Sequence, residues 1–296
     1  VLGTGRLAGS LAGAISARCA PEVAVVAGIC GRTPTRVAAL AAAVGAPAVT
    51  VGDLAESADL ILIAVTDRAV ADVAGAVASV LAGGTFEGGR GAPTGSVVHC
   101  SGVLPLDVLA ALAATGCAIG AWHPLQAFPT SDTALAPGVT WTITAEDARL
   151  VATLEKLTRA LGGRPKRLAA RHRPAYHAAA VLAANYPAGL VAHAVGVLTD
   201  CGFSESEALA ALLPLARSAL DGLATAGVPG GITGPAVRGD VATITSHLRA
   251  LDDRPATREL YRAAGLGIVP FAQAQGLAPE VTRRLEAALT DGRDLP

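Results

Sequence analysis

The sequence predicts an α/β protein: a doubly wound, mostly parallel sheet followed by a second, all-helical domain. Three observations predict it. The chain opens on a strand, turn and helix, with Val1-Leu2, then Gly3-Thr4-Gly5-Arg6-Leu7-Ala8, then an Ala-rich run to Arg18. Apolar runs of strand length alternate with helical patterns as far as Leu168, as parallel strands joined by right-handed crossovers require. Beyond Arg171 only helical periodicity remains.

The first element decides most. Gly-x-Gly-x-x-Ala between a strand and a helix is the dinucleotide-binding fingerprint with alanine in place of its third glycine. Gly3 permits the tight turn, Gly5 lets the backbone approach a pyrophosphate, and the small Ala8 lets the helix pack close to the sheet. The helix N-terminus offers unpaired N–H groups to phosphate charge. Gly3, Thr4, Gly5, Arg6 and Leu7 are therefore expected to line a dinucleotide, and the first domain to be of the Rossmann type. Val23 to Cys30 reads as a continuous buried strand. At its end an NAD site needs a carboxylate for the ribose, and an NADP site a cation for the phosphate. Gly31-Arg32-Thr33-Pro34 holds no acid. The planar fork of Arg32 suits a phosphate. Thr33 adds a hydroxyl while capping the helix that Pro34 begins. NADP is the expected cofactor.

That helix stops at Gly45, and a short strand near Ala48-Val49 follows. Asp59 to Val65 is the third clear strand; Val65 and Thr66 at its carboxyl end join the expected cofactor site, and Asp67 caps a helix from Arg68 to Leu81. Gly83 to Gly95 reads as a mobile insertion at the amino ends of the strands, away from the ligand crevice. A strand over Ser96 to Cys100, a helix over Pro105 to Thr115 and a strand from Cys117 to Trp122 lead into His123-Pro124. Leu125 to Gly138 is a loop, Val139 to Thr144 alternates as an edge strand does, Glu146 to Leu161 is a helix, and Arg164 to Leu168 is a last strand. Pro174 to Asp200 follows as a long, buried central helix, bent at Pro187. Ser204 with Glu207 forms a capping box opening a helix to Ala224. After a Gly/Pro-rich loop, helices follow over Asp240 to Leu251, Thr257 to Gln275 and Pro279 to Asp291. The boundary is placed near Gly163. Residues 1–163 then form the NADP-binding domain, and 164–296 a helical domain for substrate and dimerisation.

Several motifs resemble a known group. Gly31-Arg32-Thr33-Pro34, the run from Asp59 to Asp67 and the all-helical second half resemble the pyrroline-5-carboxylate reductase and 6-phosphogluconate dehydrogenase superfamily. His99-Cys100-Ser101-Gly102, Trp122-His123-Pro124-Leu125-Gln126, Tyr176-His177, Asn185-Tyr186, Thr233-Gly234-Pro235 and Arg238-Gly239-Asp240 resemble a bacterial subgroup within it, a Rossmann-like domain plus a C-terminal domain of unknown function. The resemblance spans nearly the whole chain and implies an NADP-linked oxidoreductase. One departure stands out. The β-hydroxyacid dehydrogenases and ketopantoate reductases of the superfamily carry a catalytic lysine one turn before such an asparagine, where this chain has Val181; its only lysines are Lys156 and Lys166.

Ser101 and His123 each follow the carboxyl end of a strand, where open α/β sheets place ligands. Ser101 is a candidate hydrogen-bond donor to a substrate carboxylate or the nicotinamide amide. His123 is a candidate proton donor, its ordinary pKa lying near neutrality, or else simply ends its strand; His99 reads as a core histidine. Asn185, the sole asparagine, lies in the most apolar helix, where a buried amide needs a partner. It either satisfies carbonyls freed by Pro187 or faces an interdomain cleft with Ser101 and His123. His177 precedes it by about 80° around the same helix and is a candidate substrate contact. Thr233 and Arg238 are candidates to bind a substrate carboxylate, with Asp240 as a helix cap.

Composition removes other classes. Charged residues make up 16% and the net charge is −1, with no basic run, which argues against nucleic acid or an anionic membrane surface. The odd, scattered five cysteines read as buried free thiols in a reducing cytoplasm. The opening inside a strand and the absence of methionine predict further residues before Val1. The expected protein is a cytoplasmic homodimer, an NADPH-dependent reductase of a small carboxylated ketone or imine. Reduction of a deazaflavin coenzyme and a non-catalytic NADP-binding redox sensor are the alternatives.

Overall fold

Three short apolar runs form the centre of the sheet in the computed structural model, which describes residues 1–83 and 95–291. They are β1 (Leu60–Ile63), β2 (Ser96–His99) and β3 (Ala118–Pro124). These pair in parallel, while β4 (Thr140–Ala145) runs antiparallel to β3 and parallel to β5 (Arg164–Arg167). On the far side of β1, Leu2 bridges both Ile63 and Cys30, and Ile29 bridges Ala48. The order is thus that of a doubly wound sheet, its switch point lying between Leu2 and β1.

Two strand expectations need correction. The run from Val23 to Cys30 pairs only at Ile29 and Cys30; among the described residues no strand lies beside the backbone from Val23 to Gly28 to complete a ladder, and Val25 is exposed. β4 is not an edge strand, because β5 closes the sheet outside it. Its Thr142 and Thr144 are buried, so the alternation of polar and apolar residues did not mark a solvent face.

Helices α1 (Arg6–Arg18), α2 (Pro34–Val44), α3 (Val51–Ser57), α4 (Val70–Gly83), α5 (Ala110–Ala113) and α6 (Ala148–Ala160) belong to the same unit. α3 was not expected; a Thr50/Asp53 capping box opens it. Asp67 starts a 3-10 turn, Asp67–Ala69, instead of capping α4. One face of the sheet packs Leu11, Ala12 and Ile15 of α1 with Leu150 and Leu154 of α6, around Trp122 stacked on Trp141 with ring centroids 4.2 Å apart. The other packs Val70 and Val77 of α4 with Leu109 and Leu112. The Gly83 to Gly95 insertion lies, apart from its two ends, outside the described residues.

The chain divides into two compact units at Leu182, inside α7 (Arg173–Asp200). The second unit, Ala183–Pro296, holds the rest of α7 with α8 (Glu205–Ala226), α9 (Val241–Ala250), α10 (Pro255–Ala274) and α11 (Pro279–Asp291). Ser204 and Glu207 form the expected capping box, and the Asp240 side chain caps α9. Ile244, Leu248, Val269, Leu285 and Leu289 make its core. α7 is not the buried helix that its composition predicted: of its residues only Arg173 is buried, and Leu182 and Tyr186 are exposed. By length and composition alone, residues 170–200 and 205–226 are helices able to cross a membrane. All five cysteines are free, but Cys201 is exposed and Cys19 half-buried, against the expectation of burial.

Candidate functional site

The loop after Leu2 has the shape the fingerprint requires. Gly3 has φ +129°, and a Cβ there would lie 2.3 Å from the Ala64 carbonyl oxygen, so the turn admits only glycine. Ala8 is fully buried against the sheet. Gly5 occupies the N-cap of α1, with no side-chain cap and no acid in the first turn, and no atom lies within 4 Å of a Cβ placed on it. The amides of the first turn thus have no side-chain acceptor, as an anion site needs. Thr4 is half-buried, and its methyl lies 3.2 Å from a Cβ built on Gly31, which brings the ends of the first two strands together. Arg6 donates to the Pro129 carbonyl at 3.3 Å, tying the 125–138 loop to the start of α1, while Leu7 packs on the core. Arg32 is exposed with no ion pair among the described residues. Thr33 holds the N-cap position of α2, but its hydroxyl makes no capping bond and is free for another acceptor. Val65 is half-buried beside Gly3, and Thr66 is exposed.

A second constellation forms where β2 and β3 end. The Ser101 hydroxyl accepts from the backbone N–H groups of Val103 (3.3 Å) and Leu104 (3.2 Å), so it closes the turn after β2. Arg173 holds that turn to the sheet. Its guanidinium is fully buried and donates to the carbonyls of Leu104 (2.7 Å) and Ser101 and to the Thr144 hydroxyl (3.1 Å). None of these hydrogen-bond partners is a carboxylate, and burial pulls its pKa down against the opposing pull of Tyr176 and Asp67.

From the same face of α7, at i+3 and i+4 from Arg173, come Tyr176 and His177. The Tyr176 hydroxyl lies 2.8 Å from His123 Nδ1, with the rings edge to face. The His123 and His177 rings lie 6.3 Å apart by centroid at 81°. Gly102 sits beneath both: a Cβ there would be 2.7 Å from His177 Nδ1 and 3.0 Å from His123 Nε2. Three buried polar atoms, His99 Nε2, His177 Nδ1 and Thr142 Oγ1, have no hydrogen-bond partner among the described residues, and Thr142 is the register partner of His123.

Electrostatics change the role of His123. Its pKa is lowered to about 4 by burial, then by the neighbouring His177 and Arg173. At neutral pH it is an uncharged ring and not a ready imidazolium donor, a correction to the sequence expectation. His99 is fully buried, as a core histidine should be. Its Nδ1 accepts from the Ser101 N–H at 3.2 Å, and burial and Arg173 lower its pKa to about 4 as well. Burial raises the Tyr176 phenol, which therefore stays protonated at neutral pH.

Comparison with known proteins gives the geometry its context. Residues 1–85 match the family described as NADP oxidoreductase, coenzyme F420-dependent, and residues 139–268 match the domain of unknown function DUF2520. The chain is an oxidoreductase-type Rossmann domain joined to a DUF2520 domain. Among solved structures it is similar to a candidate NADP oxidoreductase from Bacteroides fragilis, with TM-score 0.71, 24% identity, and coverage of 90% of this chain and 95% of that one. A protein from Thermotoga maritima follows at TM-score 0.64 and 20% identity, covering 93% and 98%. An imine reductase from Myxococcus stipitatus in complex with NADP+ aligns at TM-score 0.63 and 17% identity, covering 96% and 98%. At these identities the likeness establishes the fold. No curated protein matches the sequence.

The histidine–tyrosine cluster draws on both sides of the DUF2520 boundary: Gly102 and His123 precede it, and Tyr176 and His177 lie within it. The other DUF2520 candidates belong to the second unit. Asn185 is exposed, so the burial that argued for its role is absent, and it lies in the second unit with the exposed Thr233 and Arg238. Sequence reasoning passed over Gly102, Arg173 and Tyr176 as functional residues. The signal for two of them was present, since Arg173, Tyr176 and His177 share one face at the start of a helix.

Proposed function

We propose that the protein is an NADP-dependent oxidoreductase that delivers a hydride to a small carboxylated ketone or imine. The observation that carries this reading is the uncapped, acid-free start of α1 at Gly5, in the same unit as the His123–Tyr176–His177 cluster. NADPH, when bound, supplies the hydride. The first-turn amides of α1 and the Gly3–Leu7 segment bind pyrophosphate, Arg32 and Thr33 take the 2′-phosphate, and Val65 and Thr66 flank the loop from the next strand. Tyr176 is the proton donor. It is protonated at neutral pH, partly accessible, and fixed by His123. The superfamily lysine is thus replaced by a phenol backed by an imidazole. Ser101 shapes the turn that brings Gly102 under the two rings. In this reading Asn185, Thr233 and Arg238 belong to the substrate side, with Arg238 the cation for a carboxylate.

The match of residues 1–85 to a coenzyme F420-dependent family favours one second reading, reduction of a deazaflavin. One experiment separates the two. NADPH oxidation is followed with a panel of 2-keto acids and cyclic imino acids, and in a parallel arm with an oxidised deazaflavin. Turnover of a carboxylated ketone or imine is expected. Turnover of the deazaflavin alone selects the second reading, and an absence of NADPH binding sinks both. We also propose a soluble homodimer, in which a second copy covers the apolar faces of α7 and α8.

A further inference from the structure

We propose that His177 and His123 form a proton relay that resupplies Tyr176, so that the proton given to the substrate comes from solvent through two rings. This rests on the reductase reading above. Three observations carry it. His123 Nδ1 is committed to the Tyr176 hydroxyl at 2.8 Å, which leaves Nε2 as its second terminal. His177 Nδ1 is buried without a hydrogen-bond partner among the described residues. Both of these nitrogens lie within 3.0 Å of one point, the place a Cβ on Gly102 would take. Only glycine at 102 lets the two rings close over the turn, and the two distances hold the nitrogens less than about 6 Å apart, a span that one water beside the turn bridges. Arg173 and Ser101 fix the turn from below.

The relay balances without any charged intermediate persisting. The substrate heteroatom takes the phenolic proton of Tyr176 as the neighbouring carbon accepts the hydride and the double bond opens. The phenolate oxygen takes the proton from His123 Nδ1. His123 Nε2 takes one, through the water, from His177 Nδ1, and His177 Nε2 takes one from solvent. Each ring ends as its other neutral tautomer, and the net uptake is one hydride and one proton. The burial that keeps His123 uncharged near pH 7 suits a tautomer relay and would defeat an imidazolium donor. His123 and His177 are thus positioning and relay residues, acting through Tyr176.

The test uses the full chain with a substrate it turns over. His177→Phe, which keeps the ring shape, is expected to lower kcat by about 10- to 100-fold, less than the ~10²–10⁴ attributed to a direct acid. NADPH affinity should stay unchanged and the solvent deuterium isotope effect on kcat should grow. His177→Ala is expected to regain rate as free imidazole is added, a rescue that a packing defect does not show. Nitrogen-15 spectra of the ligand-free wild type should show His123 neutral at pH 6. Unchanged kcat and isotope effect in His177→Phe, no rescue of His177→Ala, or a charged His123 at pH 6 each overturn the relay while leaving the reductase reading intact. A wild type that reduces nothing with NADPH removes both.

Discussion

His99 and His123 each have a folded-state pKa of about 4, against about 6.5 for a free imidazole. Between these values the unfolded chain binds protons that the folded chain refuses, so stability falls as pH drops from about 6.5 to about 4 and is fully present above that window. The slope is at most about 1.4 kcal/mol per pH unit for each ring. Urea midpoints should therefore be lower at pH 5 than at pH 7, and His99→Gln should flatten the dependence. A midpoint indifferent to pH across this range would contradict the burial of these rings.

Arg32 lends itself to a second measurement at the same scale. Its guanidinium is exposed and unpaired among the described residues, so nothing structural depends on it. If it holds the 2′-phosphate, a charged hydrogen bond of about 1.5–3 kcal/mol is at stake, or ~10- to 100-fold in affinity. NADPH should bind that much more tightly than NADH, and Arg32→Ala should erase the difference without moving the melting temperature. Equal wild-type affinities for the two cofactors refute the assignment. Arg32 stands out in the sequence because the end of the second strand tells the two cofactors apart by charge alone. Tyr176 does not, because its use depends on a partner 53 residues away, and no local pattern encodes that distance. His123 was found for its position, yet its protonation state followed from burial by elements far along the chain.

At the level of elements, what the sequence made legible is what local chemistry decides. The strand–turn–helix at Gly3 to Arg18, the capping box at Ser204 and the Asp240 cap all appear where their residues place them. Pairing direction is not local. β4 runs antiparallel to β3 because the 125–138 loop returns at the carboxyl edge, where the Leu125 N–H bonds the Thr140 carbonyl at 2.8 Å, and a loop's length does not fix its side. The stretch from Val23 to Gly28 is apolar enough for a strand, but a strand exists only if a neighbour takes its hydrogen bonds. The Ser101–Leu104 turn illustrates the same limit. Its Ser-Gly sequence announces a turn, whereas its anchoring by a buried guanidinium from α7 required the fold.

For the whole molecule, the exposed apolar helices pose the largest physical problem. α7 and α8 together bury only Arg173 and Ala208, while Leu182, Tyr186, Leu190, Leu209, Leu215 and Leu220 are each at least 40% exposed. In the second unit an apolar groove of about 350 Å³ lies along Leu190, Ala194, Val197, Leu198 and Leu212. Exposed apolar side chains in this number are what an interface would cover, and the proposed occupant is a second copy of the chain, the partner that is always present at equal concentration. Light scattering of the purified protein at micromolar concentration should therefore give twice the 29.3 kDa of the chain. Leu215 and Leu220 are 66% and 55% exposed, so replacing either with glutamate should leave the fold of one chain intact. Burying a leucine contributes about 1.5–3 kcal/mol, and across a two-fold interface each substitution counts twice. The dimer dissociation constant should rise by at least ~10² and as much as ~10⁴, enough to give a monomer at micromolar concentration. A wild type that is monomeric there, or one that partitions into membranes, would deny these helices a second copy as their partner. Glutamate variants that remain dimeric would move the interface away from α8.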